Sequence, residues 1–321
     1  MAVATALASR GRGRTAPNPN VGCVIVQDGR VIGRGWTQPG GRPHAEAMAL
    51  DQAGEAARGA TAYVTLEPCA HQSLRGPACA DLLAEAGVAR VVAALRDPDP
   101  RTDGEGFARL RAHGLTVDVG TGAEEARRAM AGFLTRRAFG RPHVTLKLGL
   151  SLDGKIALAN GSSRWITGAP ARAHAHLERA RADAILVGRG TFAADAPKLD
   201  VRLRGLEERA PRRFILASTK PQIEETGWSW LPAPNLIGKL VGVDHLLIEG
   251  GAGVAASFLR DDLVDRLLLY RAPIVIGGDG LPGIGDLGIG ALLDTHGRWA
   301  LHDARMLGMD RLEVYERRRK G

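Results

Sequence analysis

Cysteine is scarce, with Cys23, Cys69 and Cys79 the only three in the chain. Three thiols cannot form an even disulfide framework, which excludes a stapled secreted scaffold. Two of them sit where thiolate ligands are wanted, and this points to a reducing compartment. Long apolar runs are also missing, none approaching the roughly 18 residues that cross a bilayer. The opening stretch MAVATALASR is only mildly apolar, with no basic segment ahead of a long apolar one, which argues against a signal peptide. A soluble, cytoplasmic protein is therefore expected. Aromatic residues make up only 4% of the chain, and none interleave with basic residues over a continuous surface, as a nucleic-acid binder would need. The net charge of +8 is spread along the whole chain and is almost all arginine in an alanine- and glycine-rich background. That pattern fits coding bias together with anionic small-molecule ligands. The densest basic run, residues 316–320, reads as a solvated end.

A chain of 321 residues suits two domains, and 45% apolar content is enough for two cores. In the first half, β-forming runs occur at 21–27, 31–36, 62–66, 90–95 and 115–119, with helical spacing near 45–53, 78–86, 106–112 and 123–134. Gln27-Asp28-Gly29-Arg30 carries the Asp-Gly signal of a hairpin. After it, strands and helices alternate, which argues for a layered α/β sheet. The helical run ends around Phe139-Gly140-Arg141-Pro142, and a new strand starts at 143. Further β-like runs lie at 184–187, 214–216, 246–248 and 267–276, with helices between them, including an apolar one at 254–259. Residues 219–239 show no clear period, and no internal repeat is present.

The chemistry is concentrated in the first half. Pro43-His44-Ala45-Glu46 opens a helix, Glu67-Pro68-Cys69 follows a strand, and Cys79 starts the next helix. One imidazole and two thiolates make a three-ligand zinc set with the fourth tetrahedral position left for water, the mark of a catalytic rather than a structural site. Zinc makes water nucleophilic near neutral pH. Glu46, not needed as a ligand, is suited to carry the proton to a ring nitrogen and then to leaving ammonia. Zinc-dependent nucleobase deaminases carry H-x-E followed by P-C-x-x-C, whereas here nine residues, 70–78, separate the cysteines. A longer loop still returns the second thiolate to the metal if both cysteines flank it at a helix start. Singly, His44 is compatible with a surface or capping histidine and each cysteine with a buried apolar thiol. Together they point to catalytic zinc. Cys23, inside the apolar run VGCVIV, belongs to the core.

Asn18-Pro19-Asn20-Val21-Gly22, Pro43-His44-Ala45-Glu46, Thr65-Leu66-Glu67-Pro68-Cys69-Ala70-His71 and the long loop to Cys79 resemble the bacterial bifunctional riboflavin-biosynthesis deaminase–reductases. That loop separates the family from cytidine, guanine and transfer-RNA deaminases. Lys147-Leu148-Gly149-Leu150-Ser151-Leu152-Asp153-Gly154-Lys155 and Ser163-Arg164-Trp165-Ile166-Thr167 resemble the start of its reductase domain. Gly190-Thr191-Phe192-Ala193-Ala194-Asp195-Ala196-Pro197 and Ile248-Glu249-Gly250-Gly251-Ala252-Gly253 continue the match, which covers nearly the whole chain. The resemblance implies an α/β protein with a cytidine-deaminase-like three-layer domain at 1–141 and a dihydrofolate-reductase-like α/β domain at 142–321. It implies hydrolytic removal of the 2-amino group of 2,5-diamino-6-(5-phosphoribosylamino)pyrimidin-4(3H)-one. NADPH reduction of the ribosyl side chain of 5-amino-6-(5-phosphoribosylamino)uracil to ribityl would follow. One zinc ion per chain and NADPH are the implied cofactors, and phosphorylated pyrimidines the partners. Neither nucleic acid nor membrane is implied, and relatives suggest a homo-oligomer, a dimer or tetramer.

Residue by residue, the resemblance gives Glu46 the catalytic role and His44, Cys69 and Cys79 the metal. Asn18 and His71 fall to the first substrate, the Asn18 amide offering a donor and an acceptor to a pyrimidine edge; a plain turn residue is the alternative. Residues 72–75 would help His71 hold the ribose phosphate. Asp97 and Asp99 would lie on a loop closing the pocket, unless Asp-Pro-Asp-Pro is simple turn chemistry. Leu150, Trp165, Thr191, Asp195 and Ser218 fall to NADPH. So do Gly251, Ala252 and Gly253, whose N–H groups at a helix start suit a pyrophosphate. Ser163, Arg179, Leu199, Arg202 and Glu249 fall to the second substrate, the two arginines being suited to a ribose 5-phosphate.

Departures from the family pattern are expected to matter. Thr37 stands where many members have a substrate-contacting histidine, Asp99 where asparagine is usual, and Ala217 where aspartate is common. Between about 218 and 244 the chain is shorter than the family's strand–helix–strand passage, and its amino end is close to the first helix, as if clipped. Two other readings stay open. One is an active deaminase with a degenerate, non-catalytic reductase-like half. The other is an RNA-binding or RNA-editing protein using the same zinc chemistry, which the loop length and the lack of a basic aromatic surface disfavour.

Overall fold

A computed structural model describes residues 1–71, 76–222 and 226–319, and the chain divides into two compact units, Met1–Gly140 and Arg141–Gly321. The first unit runs α1 (Ala2–Gly11), β1 (Gly22–Gln27), β2 (Arg30–Trp36), α2 (Ala45–Ala53), β3 (Thr61–Val64), α3 (Cys79–Glu85) and β4 (Arg90–Ala93). It ends with α4 (Glu105–Ala112), β5 (Thr116–Val119), α5 (Ala123–Ala129) and α6 (Ala131–Phe139). Its strands form one sheet in the order β2-β1-β3-β4-β5. β1 is antiparallel to β2 and β3, and β3, β4 and β5 run parallel. The β1–β2 turn holds Asp28 and Gly29 at φ of 48° and 73°, the left-handed pair that an Asp-Gly hairpin needs.

Glycines decide how closely the helices approach this sheet. Cys23 pairs with Gly35 and Ile25 with Gly33, so these four share the face covered by α2. A Cβ on Gly35 would lie 2.0 Å from the Ala45 carbonyl oxygen, and one on Gly33 2.1 Å from that of Ala49. The absence of side chains at Gly33 and Gly35 therefore seats the α2 backbone directly on β2, fixing the turn that carries His44 and Glu46. On the opposite face, a Cβ on Gly22 would lie 1.9 Å from the Ala4 carbonyl oxygen, so α1 sits equally close. The result is three layers, with Cys23 fully buried among Ile25, Ala45 and Ala49 in the core. Gly35→Ala is expected to cost about 1–3 kcal/mol by overpacking and to lower zinc retention and deamination while reduction persists. Thermal unfolding and assays of both activities check this.

The second unit runs β6 (His143–Leu150), β7 (Lys155–Ala157), α7 (Ala169–Ala180), β8 (Ala184–Gly188), α8 (Arg189–Asp195), β9 (Arg212–Leu216) and β10 (Trp228–Leu231). It continues with β11 (His245–Glu249), α9 (Ala252–Arg260), β12 (Arg266–Arg271), β13 (Leu281–Pro282), β14 (Trp299–Leu307) and β15 (Asp310–Arg317). Eight strands form one sheet, β10-β9-β8-β11-β6-β12-β15-β14, while β7 and β13 pair separately. Strands from β10 to β12 are mutually parallel, and the β14–β15 hairpin is antiparallel. β8 is buried throughout, as a parallel strand covered on both faces should be.

The structure differs from the sequence expectation in three places. The run at 267–276 is a strand only to Arg271. Pro273 offers no N–H to a ladder, and the chain turns there through an Ile274 N–H donated to the Ala272 carbonyl at 2.8 Å. The long β14–β15 hairpin lies in a stretch to which no strand is assigned from sequence. Its outer strand exposes His302 and Arg305, with Asp303 half-buried, and shows little apolar alternation. Between 218 and 244 the described residues hold no α-helix, yet β10 still pairs with β9. Trp230 Nε1 donates to the Ala217 carbonyl at 2.6 Å, so the shortened passage keeps a strand at the sheet edge.

Candidate functional site

His44 caps the start of α2, Cys69 lies in the turn after β3, and Cys79 is the first residue of α3. Their donor atoms lie within 4.8 Å of one another. His44 Nδ1 is 3.2 Å from Cys79 Sγ and 3.6 Å from Cys69 Sγ. Tetrahedral zinc with ordinary Zn–N and Zn–S lengths sets its ligand atoms about 3.5–3.8 Å apart, so the set fits the ion. The Cys79 thiol donates to Cys69, burial opposes this and His44 assists, leaving Cys69 a thiolate with its pKa pushed down to about 4. The Cys79 backbone N–H donates to the same sulfur at 3.3 Å. His44 turns Nε2 towards the Asn18 amide, 3.4 Å away, while Asn18 Nδ2 donates to the Gly41 carbonyl at 3.3 Å. Asn18 thus packs beside the ligand's ring and faces the same cavity.

Glu46 is 3% exposed. Burial, opposed by His44 and helped by Cys69, lifts its carboxyl to about 7, which lets it take and return a proton near neutral pH. A cavity of about 290 Å³ is lined by Asn18, His44, Glu46, Cys69 and His71, together with Thr37, Asp97, Asp99, Arg101, Phe133 and Arg137. Thr37, at the position of the expected histidine, is buried, and its Oγ1 accepts the Val21 N–H at 2.9 Å. It fixes the strand entry beside Asn18. Burial raises the Asp97 carboxyl to about 6. Asp97 and Asp99 do make turn chemistry, accepting the N–H groups of Asp99 and Arg101 at 2.9 and 3.0 Å, but both also line the cavity. Residues 72–75, expected near the phosphate, lie outside the described residues.

Glu67 has no role in the sequence reading beyond its motif, yet it joins the two halves of this pocket. Its carboxylate accepts the N–H groups of Asp97 at 3.2 Å, Gly104 at 3.0 Å and Phe107 at 3.1 Å. The turn carrying Cys69 is thereby tied to the loop after β4 and to α4.

In the second unit a cleft of about 1430 Å³ opens at the carboxyl ends of β6, β8, β9 and β11, where parallel α/β sheets bind ligands. Its lining includes Trp165, Thr191, Asp195, Ser218, Gly251, Ala252 and Gly253. Ser163, Arg179, Leu199, Arg202 and Glu249 line it as well. Leu150 sits apart, 6% exposed in the core behind the cleft. A Cβ on Gly250 would lie 2.9 Å from Val254 Cβ, and one on Gly188 2.5 Å from Val254 Cγ2. These strand ends therefore pack against α9, whose N-cap is Gly251. The free N–H groups there fit the pyrophosphate of a dinucleotide. Trp165 is 67% exposed, with the Arg172 guanidinium 4.6 Å over its ring.

The charged centre of the cleft is an ion cluster. Arg179 donates Nε and Nη2 to the two Glu249 oxygens at 2.6 and 2.8 Å and Nη1 to the Asp200 carbonyl at 3.1 Å. Lys147 Nζ lies 3.6 Å from Glu249. Burial would raise the Glu249 carboxyl, but Lys147 and Arg179 outweigh it and hold the group at about 2. Lys147, given no role from sequence, had a legible signal: a lone lysine in the apolar run HVTLKLGL, matched by the glutamate ending HLLIE. Because the folded pKa of Glu249 lies below the usual 4.5, its contribution to stability is full above pH 4.5 and lost as pH falls towards 2. The size is on the order of 3 kcal/mol. Acid unfolding of Glu249→Gln beside the unaltered chain should show a shallower loss over that window.

Two family models match the chain. The cytidine and deoxycytidylate deaminase zinc-binding region covers residues 1–95, and the RibD C-terminal domain covers 142–229 and 236–309. The chain is 40% identical to the riboflavin biosynthesis protein RibD of Escherichia coli strain K12, over 88% of this chain and 91% of that protein. It is also 40% identical to RibD of Aquifex aeolicus strain VF5, over 92% and 91%. Among solved structures, Acinetobacter baumannii RibD is similar with a TM-score of 0.87 at 36% identity, over 99% of this chain and 98% of that one. A Thermotoga maritima diaminohydroxyphosphoribosylaminopyrimidine deaminase/5-amino-6-(5-phosphoribosylamino)uracil reductase gives 0.86 at 32% identity, over 99% and 97%.

Proposed function

The chain belongs to the RibD family of bifunctional riboflavin-biosynthesis deaminase–reductases, and from that membership we propose which of its residues carry each of the two reactions. Residues 1–141 deaminate the diaminopyrimidine ribotide, and residues 142–321 reduce the ribosyl side chain of the resulting uracil. The observation that carries this reading is the presence in one chain of the His44–Cys69–Cys79 set beside buried Glu46 and of a separate cleft centred on Lys147, Arg179 and Glu249.

Zinc, when bound by His44, Cys69 and Cys79, supplies the Lewis acidity that makes water nucleophilic near neutral pH. Glu46 takes one proton from the water and passes it to the pyrimidine ring nitrogen, then carries the remaining hydroxyl proton to the departing ammonia. Asn18 holds the pyrimidine within the cavity, and His71 helps hold the ribose phosphate. In the second reaction NADPH, held by Trp165, Thr191, Asp195, Ser218 and the 251–253 turn, with Leu150 behind, supplies the hydride. Reduction at C1′ would free the ring oxygen from that carbon, and that oxygen needs a proton to become a hydroxyl. Lys147 is the ammonium placed to deliver that proton, and Glu249 fixes it. Ser163 and Leu199 flank the substrate. Arg179 is committed to Glu249, so its phosphate falls chiefly to Arg202, whose Nε alone is engaged, with Asp200 at 3.0 Å. The shortened passage leaves the ends of β8, β9 and β11 in the cleft lining, which supports an active reductase half.

No helix among the described residues is long and apolar enough to cross a membrane. A cytoplasmic homo-oligomer, a dimer or tetramer, acting on phosphorylated pyrimidines is the proposed working state. The outer strand β14 supports it, since a long exposed edge favours cover and Leu301 and Met306 are exposed there. Light scattering tests the oligomer. The reactions are tested by incubating the protein with the diaminopyrimidine ribotide, with and without NADPH, and weighing the products. Amino-to-oxo exchange is expected without NADPH, and the further gain of two hydrogens only with it. Exchange without any gain overturns the bifunctional reading.

A further inference from the structure

The deaminase cavity contains a charged cluster that the proton transfers at Glu46 do not use. Asp99 is 5% exposed and is gripped from two sides. Arg101 donates Nε to Oδ1 at 3.0 Å and Nη2 to Oδ2 at 2.7 Å, and Arg137 donates Nη2 to Oδ2 at 2.5 Å. Arg137 comes from α6, where its guanidinium also lies 5.4 Å over the ring of Phe133, one turn earlier. The Asp99 backbone is held as firmly, its carbonyl accepting the Thr102 N–H at 2.8 Å. All these arginine and aromatic side chains line the cavity that holds His44, Glu46 and Cys69.

Three features of this cluster point the same way. With both oxygens taken by arginines and no N–H or O–H of its own, ionised Asp99 has nothing to donate to a pyrimidine. Proximity to Arg101 and Arg137 holds its carboxyl well below the usual carboxylate range, against the opposing effect of burial, with the Arg101 hydrogen bond the largest influence. Two guanidinium groups grip this one carboxylate, with Asp97, its carboxyl raised to about 6, the nearby counter-charge. Among the described residues, neither guanidinium makes a further hydrogen bond, although each carries five N–H donors. Finally, exposure rises from the Asp99 side chain at 7% through Arg137 at 38% to Arg101 at 63%, so the idle guanidinium donors sit at the mouth while the zinc ligands lie deeper. A pair of guanidinium groups with idle donors at a cavity mouth is the geometry that takes a phosphate.

We propose that Arg101 and Arg137 form the subsite for the 5′-phosphate of the pyrimidine ribotide in the deaminase cavity, with Asp99 the positioning residue that holds both guanidinium groups. The proposal rests on the deaminase reading above and adds how this chain selects a ribotide over a ribonucleoside. The phosphate lies at the end of the substrate remote from the carbon that loses its amino group, which matches the mouth-to-floor order of Arg101, Arg137 and Glu46.

The test is steady-state deamination of the diaminopyrimidine ribotide and of its dephosphorylated ribonucleoside by the zinc-loaded full chain, unaltered and as R101A/R137A, D99N and D99E. For R101A/R137A the KM for the ribotide is expected to rise about 10- to 100-fold, the range for losing hydrogen bonds to a charged group. The loss should fall on KM rather than kcat and spare the ribonucleoside. D99N should raise the ribotide KM several-fold, and D99E should recover part of it. In the unaltered chain inorganic phosphate should compete with the ribotide, and R101A/R137A should lose that competition. Equal losses on ribotide and ribonucleoside would overturn the proposal, as would absence of phosphate competition in the unaltered chain, a result that needs no variant to fold. A chain that deaminates neither compound refutes the deaminase reading itself. One that deaminates both with equal KM refutes only the phosphate subsite.

Discussion

Glu46→Gln is expected to lower the kcat of deamination by about 1000-fold, within the range a positioned proton carrier contributes, while zinc content and NADPH-dependent reduction stay unchanged. Glutamine matches the shape of the buried side chain, so the packing of α2 on Gly33 and Gly35 should survive. What is lost is the capacity to hold a proton. The carboxyl is lifted by burial to about 7, and an amide in the same place neither accepts the proton from water nor returns it to the leaving ammonia. Metal analysis, deamination and reduction measured on one preparation decide the matter. A variant with full zinc that keeps a tenth or more of its rate would remove Glu46 from the proton path.

Cys69→Ser should act on the other half of the same chemistry. A serine hydroxyl is protonated at neutral pH where Cys69 is a thiolate, its pKa pushed down to about 4 chiefly by the Cys79 thiol. Its shorter side chain also retreats from His44 Nδ1, 3.6 Å from the sulfur in the native chain. Zinc retention against a chelator should fall by more than the roughly 10- to 100-fold that loss of an outer-shell partner costs, and deamination should fall with it. Reduction should persist, because the cleft of Lys147, Arg179 and Glu249 is built wholly from the second unit. Loss of both activities together would mean that the two units fold as one cooperative block.

Much of the fold is legible in the chain because buried strands advertise themselves. β1, β8 and β11 are apolar runs bounded by turns, and Asp28-Gly29 marks its own hairpin. The edge strands are not legible for the same reason in reverse. β14 breaks its apolar alternation with His302, Asp303 and Arg305, and β10, with both its tryptophans, is short and set between prolines, so only their partners define them. The strand expected to reach 276 stops at Arg271 because a proline in its path cannot donate to the ladder. At the metal, the residue types suffice: imidazole beside thiolates in H-x-E and P-C context names the ion whatever the loop length. Glu67 carries no such signature, because its work is done through three backbone N–H groups that lie 30, 37 and 40 residues away.

The sequence by itself determined the zinc-binding set His44, Cys69 and Cys79, since ligand preference is intrinsic to imidazole and thiolate, and it singled out Glu46 as the proposed proton carrier. Its ordered motifs also determined the two-part α/β organisation and the family. Only the tertiary structure decided which charges meet. Arg179 and Glu249 are 70 residues apart, and Lys147 joins them because β6 and β11 lie side by side. Asp99 and Arg137, 38 residues apart, meet because α6 returns to the zinc cavity. Electrostatic partnership depends on distance in space, and strand order and helix packing set that distance. Spacing along the chain does not.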